Sequence, residues 1–224
     1  MFNHIELGLP QLERETIDNV RYYKIPEKED LTKLVSITSV ISHFNKETFK
    51  KWREKVGEAE ANKITKQATS RGTDLHSLVE NYLYNAELPQ VQPISEILFK
   101  IIKPQLDRIN NIHALEGSLY SEYLGIAGTV DCIAEFDGEL SIIDFKTSKK
   151  PKPREWIDGY FVQCCAYACM LHELTGLSVK KFVILMTCEN GEVEVYEEYD
   201  KKKYIRLLTQ YIKKFVNDKL DQIS

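Results

Sequence analysis

GIAGTVDCIAEFDGELSIIDFKTSKKPKPREWIDGYFVQCCAYACM, residues 125–170, is the stretch that decides the fold. Two alternating runs, 129–136 and 139–146, flank Asp137-Gly138. Asp-Gly between such runs is the strongest short-range signal for a two-residue hairpin loop. With those residues as the loop, Phe136 faces Glu139. Counting back along both strands sets Asp131 opposite Asp144 and Thr129 opposite Lys146. Side chains alternate along a strand, so Asp131, Asp144 and Lys146 are expected on one face.

Opposed residues have Cβ atoms about 4.5–5.5 Å apart, where like charges destabilise a sheet. A solvated polar face with Lys146 between the acids would be one answer. Against it, Ile133, Ile142 and Ile143 mark the hairpin as largely buried, and unpaired carboxylates are costly there. A divalent cation between the two carboxylates removes the conflict. Mg²⁺ suits it, because that ion takes one or two carboxylates and keeps waters and phosphate oxygens as its other ligands.

The ordered set Gly128-Thr129-Val130-Asp131, then Ile143-Asp144-Phe145-Lys146-Thr147-Ser148, then Gln163-x-x-x-Tyr167 resembles the PD-(D/E)xK nucleases, in their RecB-like exonuclease branch. Arg71-Gly72-x-x-x-His76, the SITSVIS segment and KKWREK extend the likeness over residues 35–185. Within the branch it resembles the mitochondrial genome maintenance exonucleases and their phage and bacterial relatives. The resemblance implies an α+β (mixed α/β) fold, with a restriction-endonuclease-like central mixed sheet flanked by helices and a helical region over the active site. It implies metal ligation by Asp131, Asp144, His76 and the Phe145 carbonyl oxygen, with Glu116 as a further candidate. Lys146 is the implied water-positioning group, and Gln163 and Tyr167 orient DNA or catalytic groups. His76 in an otherwise oxygen-rich site makes Mn²⁺ as plausible a working ion as Mg²⁺. The implied reaction is exonucleolytic hydrolysis of single-stranded DNA from a free end, in replication, repair or recombination. Rival readings are a duplex-end resection nuclease of the phage recombination type and a DNA-binding module that has lost catalysis.

The whole chain bounds these readings. Its 224 residues, 43% of them apolar, suffice for one compact unit, expected as an arm and helical region over 1–112 and a nuclease core over 113–224. No run approaches the ~18 apolar residues of a membrane span. The amino-terminal residues lack a secretory pattern and carry Glu6, Glu13 and Glu15, against a mitochondrial transit peptide. The expected location is the cytoplasm of a bacterial or phage-infected cell. Five cysteines without a signal segment read as free thiols. Cys132 in the hairpin and Cys164, Cys165 and Cys169 in one helix do not match an iron–sulfur ligand pattern, and no cluster is expected. A net charge of −4 disfavours a passive nucleic-acid coat but leaves room for a local basic channel.

Residues 1–35 show little periodicity and read as an irregular arm. Ser36 or Thr38 can cap a short helix to His43, and a second helix from Asn45 or Thr48 carries Phe49, Trp52 and Val56 among Lys46, Lys50, Lys51, Arg53 and Lys55. A third helix is expected over 58–84, with Leu75, Leu78, Val79 and Tyr82 at helical spacing. Pro104 should kink or break the helical stretch 94–112. A strand over 115–123 holds Glu116 and Glu122, whose even spacing puts both or neither on the metal face. After Lys146, the loop with Lys149, Lys150, Lys152 and Arg154 is placed for phosphate contact, as is Arg71. Tyr82, Tyr84, Trp52 and Phe44 are the candidates for base stacking. A helix from Glu155 stops at Gly176, a second hairpin turns at Asn190-Gly191, and an amphipathic helix over 201–220 ends the chain.

Overall fold

The structure is a computed structural model that describes residues 1–26 and 33–221. In chain order it contains β1 (Arg14–Ile17), β2 (Val20–Lys24), β3 (Lys33–Ser36), α1 (Ile37–Phe44), α2 (Lys46–Val56), α3 (Glu58–Leu83) and α4 (Pro93–Leu106). Then follow β4 (Ile109–Ser121), β5 (Ile126–Phe136), β6 (Glu139–Ser148), α5 (Asp158–Thr175), β7 (Lys181–Cys188), β8 (Val193–Glu198) and α6 (Lys201–Leu220). All eight strands join one mixed sheet. Among the described residues, two large apolar cores fill its two faces, with a smaller cluster at Tyr23, Ile25, Leu34 and Ala127. Ile37, Val40, Phe161, Met170, Tyr204 and Leu208 from α1, α5 and α6 cover one, and Leu75, Leu83, Leu98 and Ile102 from α3 and α4 cover the other.

The hairpin forms at the expected turn. Asp137 and Gly138 have φ of 53° and 80°, the left-handed pair of a type I′ turn, and Phe136 pairs with Glu139. The ladder runs to Cys132–Ile143 and stops one position short of Asp131 and Asp144. Strand β4 covers one edge of β5 over its length. The other edge is shared: β3 pairs in parallel at Ile126 and Ala127, and β6 pairs from Cys132 onward. The segment 128–131 lies where those two strands part. Alternation also slips there, because Val130 and Ile133 belong to one core while Cys132 and Ala134 belong to the other.

The stretch expected as an irregular arm over 1–35 carries three short strands among its described residues, 1–26 and 33–35. β1 and β2 meet at Asp18-Asn19, whose φ values of 49° and 62° make another left-handed turn, and β3 joins β2 to β5. Asp and Asn tolerate this conformation through short polar side chains. Strands of four and five residues are too short for a visible alternation. The sheet therefore runs across any division at residue 112, and β4 itself begins at Ile109. Ser36 caps α1 by accepting from the Thr38 N–H. Pro104 falls in the last turn of α4, which continues to Leu106.

Candidate active site

The site forms where β5 and β6 part, and both faces of the sheet contribute. From the α3 face comes His76. Leu75, Leu78 and Val79 bury their side of the helix and leave the imidazole half-buried above β6. Its Nε2–H donates to the Phe145 carbonyl oxygen at 2.9 Å, since a carbonyl can only accept. Nδ1 then faces two carboxylates, 3.6 Å from Glu116 Oε1 and 3.7 Å from Asp131 Oδ2. One ligand atom from each of His76, Glu116 and Asp131 lies within 4.8 Å of the others. Burial alone would push the imidazole down, but Asp131, Glu116 and Asp144 outweigh it and the Lys146 charge and hold its pKa at about 9.

Asp131 is anchored by the Phe145 N–H, which donates to Oδ2 at 3.0 Å. Asp144 points the other way, toward the α5 layer, on the same side of β6 as Ile142. It is 1% exposed, and its Oδ1 has no hydrogen bond among the described residues. Lys146 Nζ lies 2.5 Å from Asp144 Oδ2, a close ammonium–carboxylate pair. Burial pushes the Asp144 pKa up to about 6 despite the pull of Lys146, and Asp131 adds to the rise. Burial would lower the Lys146 ammonium, yet Asp144 and Asp131 outweigh it and keep it charged.

The two aspartates are thus neighbours without being a laddered pair, and the tight ligand cluster is His76–Glu116–Asp131, with Asp144 beside Lys146. Glu116 reaches it through a break in strand geometry, a φ of 48°. Glu122 lies beyond the end of β4, so the expected parity between the two glutamates does not hold. An imidazole and two carboxylates within 4.8 Å of one another, with the buried Asp144 on the adjoining strand and its Oδ1 unpartnered among the described residues, are a donor set that fits a divalent cation. Asp131, Glu116, His76 and Asp144 are the residues that would hold it.

Gln163 and Tyr167 project from α5 to the same split. Gln163 Nε2 donates to Tyr167 Oη at 3.2 Å, and both are buried. The ring can approach because position 128 is glycine; a Cβ there would come within 2.7 Å of Tyr167 Cε1. Burial and the Asp131 charge hold the Tyr167 hydroxyl well above its usual pKa, so it is neutral. Tyr23 of β2 bonds to Thr129 Oγ1 at 3.0 Å on this same stretch of β5. That residue escaped the sequence reading with the strand that carries it.

The basic residues divide. Lys149 and Lys150 are exposed. Lys152 donates to Tyr160 Oη at 2.6 Å, and Lys146 Nζ stands 5.2 Å from the centre of the same ring. Arg154 is committed inward, to Asp158 at 3.1 Å, Glu198 at 2.6 Å and the Tyr204 hydroxyl at 2.8 Å, with its guanidinium over Phe161. Arg71 pairs with Glu189 at 2.8 Å and is 11% exposed. Of the stacking candidates, Phe44 is stacked on Tyr211 at 3.7 Å, Tyr82 packs edge-on against Phe2 and Phe99, and Trp52 leans on Phe49. Tyr84 lies parallel to the His4 ring at 5.6 Å. Cys132, Cys164, Cys165 and Cys188 are buried thiols and Cys169 is half-buried.

The sheet splits between two carboxylate-bearing strands, with a lysine two residues after the second acid. The sequence profile of the PD-(D/E)XK nuclease superfamily matches residues 52–223, and the chain belongs to that superfamily. Mitochondrial genome maintenance exonuclease 1 from Homo sapiens is 27% identical over 194 residues, covering 77% of this chain and 55% of the human protein. The Mus musculus protein of the same name is 32% identical over 114 residues, covering 46% of this chain and 32% of its own length. The chain thus spans about half or less of the curated relatives it matches. A candidate exonuclease from Eubacterium rectale shares 13% identity at a TM-score of 0.48, covering 67% of this chain and 66% of that one, too loose a likeness to carry an argument. Among the described residues, no helix is long and apolar enough to cross a membrane.

Proposed function

We propose that this chain is a metal-dependent exonuclease that hydrolyses single-stranded DNA from a free end. The observation that carries the reading is the convergence of His76, Glu116, Asp131, Asp144 and Lys146 on one split in the sheet of a superfamily nuclease. Mg²⁺ or Mn²⁺, held by Asp131, Asp144, His76 and Glu116, would supply an acidified water and polarise the phosphoryl oxygen. Lys146 orients that water and offsets the negative charge that grows on the phosphoryl group as the water oxygen bonds to phosphorus and the P–O bond to the leaving nucleotide breaks. His76 keeps its ring in place through the Phe145 carbonyl, which ties α3 to β6. Gln163 and the neutral Tyr167 hydroxyl steady the reacting groups from the α5 side. The Phe145 carbonyl oxygen accepts from His76 with one of its two lone pairs and has the other for a metal ion.

Single-strand specificity is supported by the arm ahead of the site. α2 buries no residue and carries Lys46, Lys50, Lys51, Arg53 and Lys55 beside Phe49 and Trp52, while α3 runs from this arm to His76. A basic helix with interleaved aromatics is the surface a single strand binds without reading sequence. Replication or recombination proteins would be its natural neighbours. The deciding experiment is digestion of end-labelled linear single strands, duplexes and closed single-stranded circles with Mg²⁺ or Mn²⁺. Linear single strands should be cut, in a salt-sensitive way, and circles should resist. Efficient cutting of circles would move the protein to the endonucleases.

A further inference from the structure

Beside the catalytic lysine, on the α5 side, a cleft of about 560 Å³ opens between the α1–α2 junction and the start of α5. That size is within the ~300–1,000 Å³ usual for ligand pockets. Asn45, Thr48, Glu155, Trp156, Tyr160 and Tyr211 line it. Trp156 is 73% exposed, which is unusual for the largest apolar side chain. Tyr160 is the shared wall between the cleft and the site, because Lys146 Nζ stands over its ring. The Asn45 carboxamide caps neither adjoining helix by hydrogen bond, so its donors and acceptor remain for a ligand. Glu155 and Asp158 line the cleft with acid, which repels a phosphate and tolerates a neutral ring. The cations instead lie at its inner wall, where Lys146 and Lys152 meet Tyr160.

We propose that this cleft is a nucleobase subsite, in which one unpaired base of the strand stacks on Trp156 and Tyr160 while its phosphate lies toward Lys146 and Lys152. The assignment rests on the reading of the chain as a single-strand nuclease and deepens it. An exposed indole and a phenol ring offer stacking to any base, and Asn45, Thr48 and Glu155 offer hydrogen bonds to a base edge. Gly159 keeps the space open. A Cβ at that position meets only Ile41 Cγ2 at 3.7 Å and Asn45 Nδ2 at 4.0 Å, so alanine would pack without clash and favour the helix.

The test uses the full chain in EDTA, where binding is read without cleavage. Trp52→Phe leaves Trp156 as the one indole of the two in the chain. In that background, titration with a linear oligonucleotide should quench the emission. Trp156→Ala should weaken binding about 5- to 150-fold, the range of one base–aromatic stack. An oligonucleotide series with a single abasic position walked inward from each end should show one position where the missing base costs affinity in the parent and nothing further in Trp156→Ala. Gly159→Ala should weaken binding with Tm unchanged or raised, which a folding defect cannot do. A flat abasic series, or parent-like affinity in Trp156→Ala, overturns the subsite while leaving nuclease activity in Mg²⁺ intact. A mass increase with concentration that Trp156→Ala abolishes would put a second copy of the chain in the cleft instead. Absence of both oligonucleotide binding and cleavage would remove the subsite and the nuclease reading together.

Discussion

At its turn, the β5–β6 hairpin carries Asp137 against Arg108, whose Nε and Nη2 donate to the two carboxylate oxygens at 3.0 and 2.5 Å. The same guanidinium stands 4.3 Å from the centre of the Phe136 ring, and Lys181 Nζ is 5.1 Å from it. At its open end the same hairpin carries Asp144, buried, with the Lys146 ammonium against one oxygen and no hydrogen bond to the other among the described residues. The turn acid is held below its usual pKa, chiefly by the Arg108 hydrogen bond, and the buried acid is pushed up to about 6. One end is neutralised from within the fold. The other carries a charge conflict that a cation would relieve. A fold tolerates such conflict where it serves chemistry, because strain there is offset by packing elsewhere.

Lys146→Ala tests the open end most directly. The substitution removes the water-orienting ammonium and leaves the carboxylates in place. Cleavage should fall by about 10²- to 10³-fold or more, with oligonucleotide affinity lowered far less. Turnover close to that of the parent would end its assigned role.

Asp144→Asn should also abolish cleavage, yet leave the metal-free fold at least as stable. Burial disfavours the ionised acid in the folded site, so the neutral isostere should not lower the Tm at neutral pH. Thermal unfolding in EDTA measures it. A Tm below that of the parent would mean that the Lys146 pairing outweighs the desolvation cost.

Arg154 and the pair Lys149–Lys150 sharpen the comparison within one basic loop. Arg154→Ala should cost about 2 kcal/mol of stability, because it leaves Asp158, Glu198 and Tyr204 without their shared donor. Lys149→Ala with Lys150→Ala should leave Tm alone and lower the salt slope of DNA binding. Equal effects on stability from both would contradict this division of the loop.

The hairpin, its turn and the residues at its open end were legible because an Asp-Gly turn and a period of two fix a register from few residues. The parting of β5 and β6 was not, since it depends on β3 taking the first part of the same edge, and β3 is four residues long. Glu116 and Glu122 fail their parity argument for a local reason, the left-handed conformation at Glu116 and the strand end at Ser121. Arg154 read as a free cation because its partners lie 4, 44 and 50 residues away. Trp156 and Tyr160 carried no periodic signal, and their shared cleft exists only once α1 packs beside α5.

The smallest expected effect separates the two ends of the hairpin by pH. Asp144 has its folded pKa raised from 3.8 to about 6, so in the metal-free protein the folded state binds the proton more tightly than the unfolded chain does. Its charge conflict is present in full above about pH 6 and fades as pH falls toward 4. Asp137 has its folded pKa lowered, so its contribution is present in full above 3.8 and is lost as pH falls through the depressed value. The Asp137 side chain is 45% exposed, and solvent screening reduces its share to a few tenths of a kcal/mol. The Tm advantage of Asp144→Asn over the parent, measured in EDTA, should therefore shrink between pH 7 and pH 5. The small Tm deficit of Asp137→Asn should hold constant over that window and shrink only below about pH 4. A gap for Asp144→Asn that does not change with pH would mean that Asp144 is ionised without strain, and the contrast between the two ends would be lost.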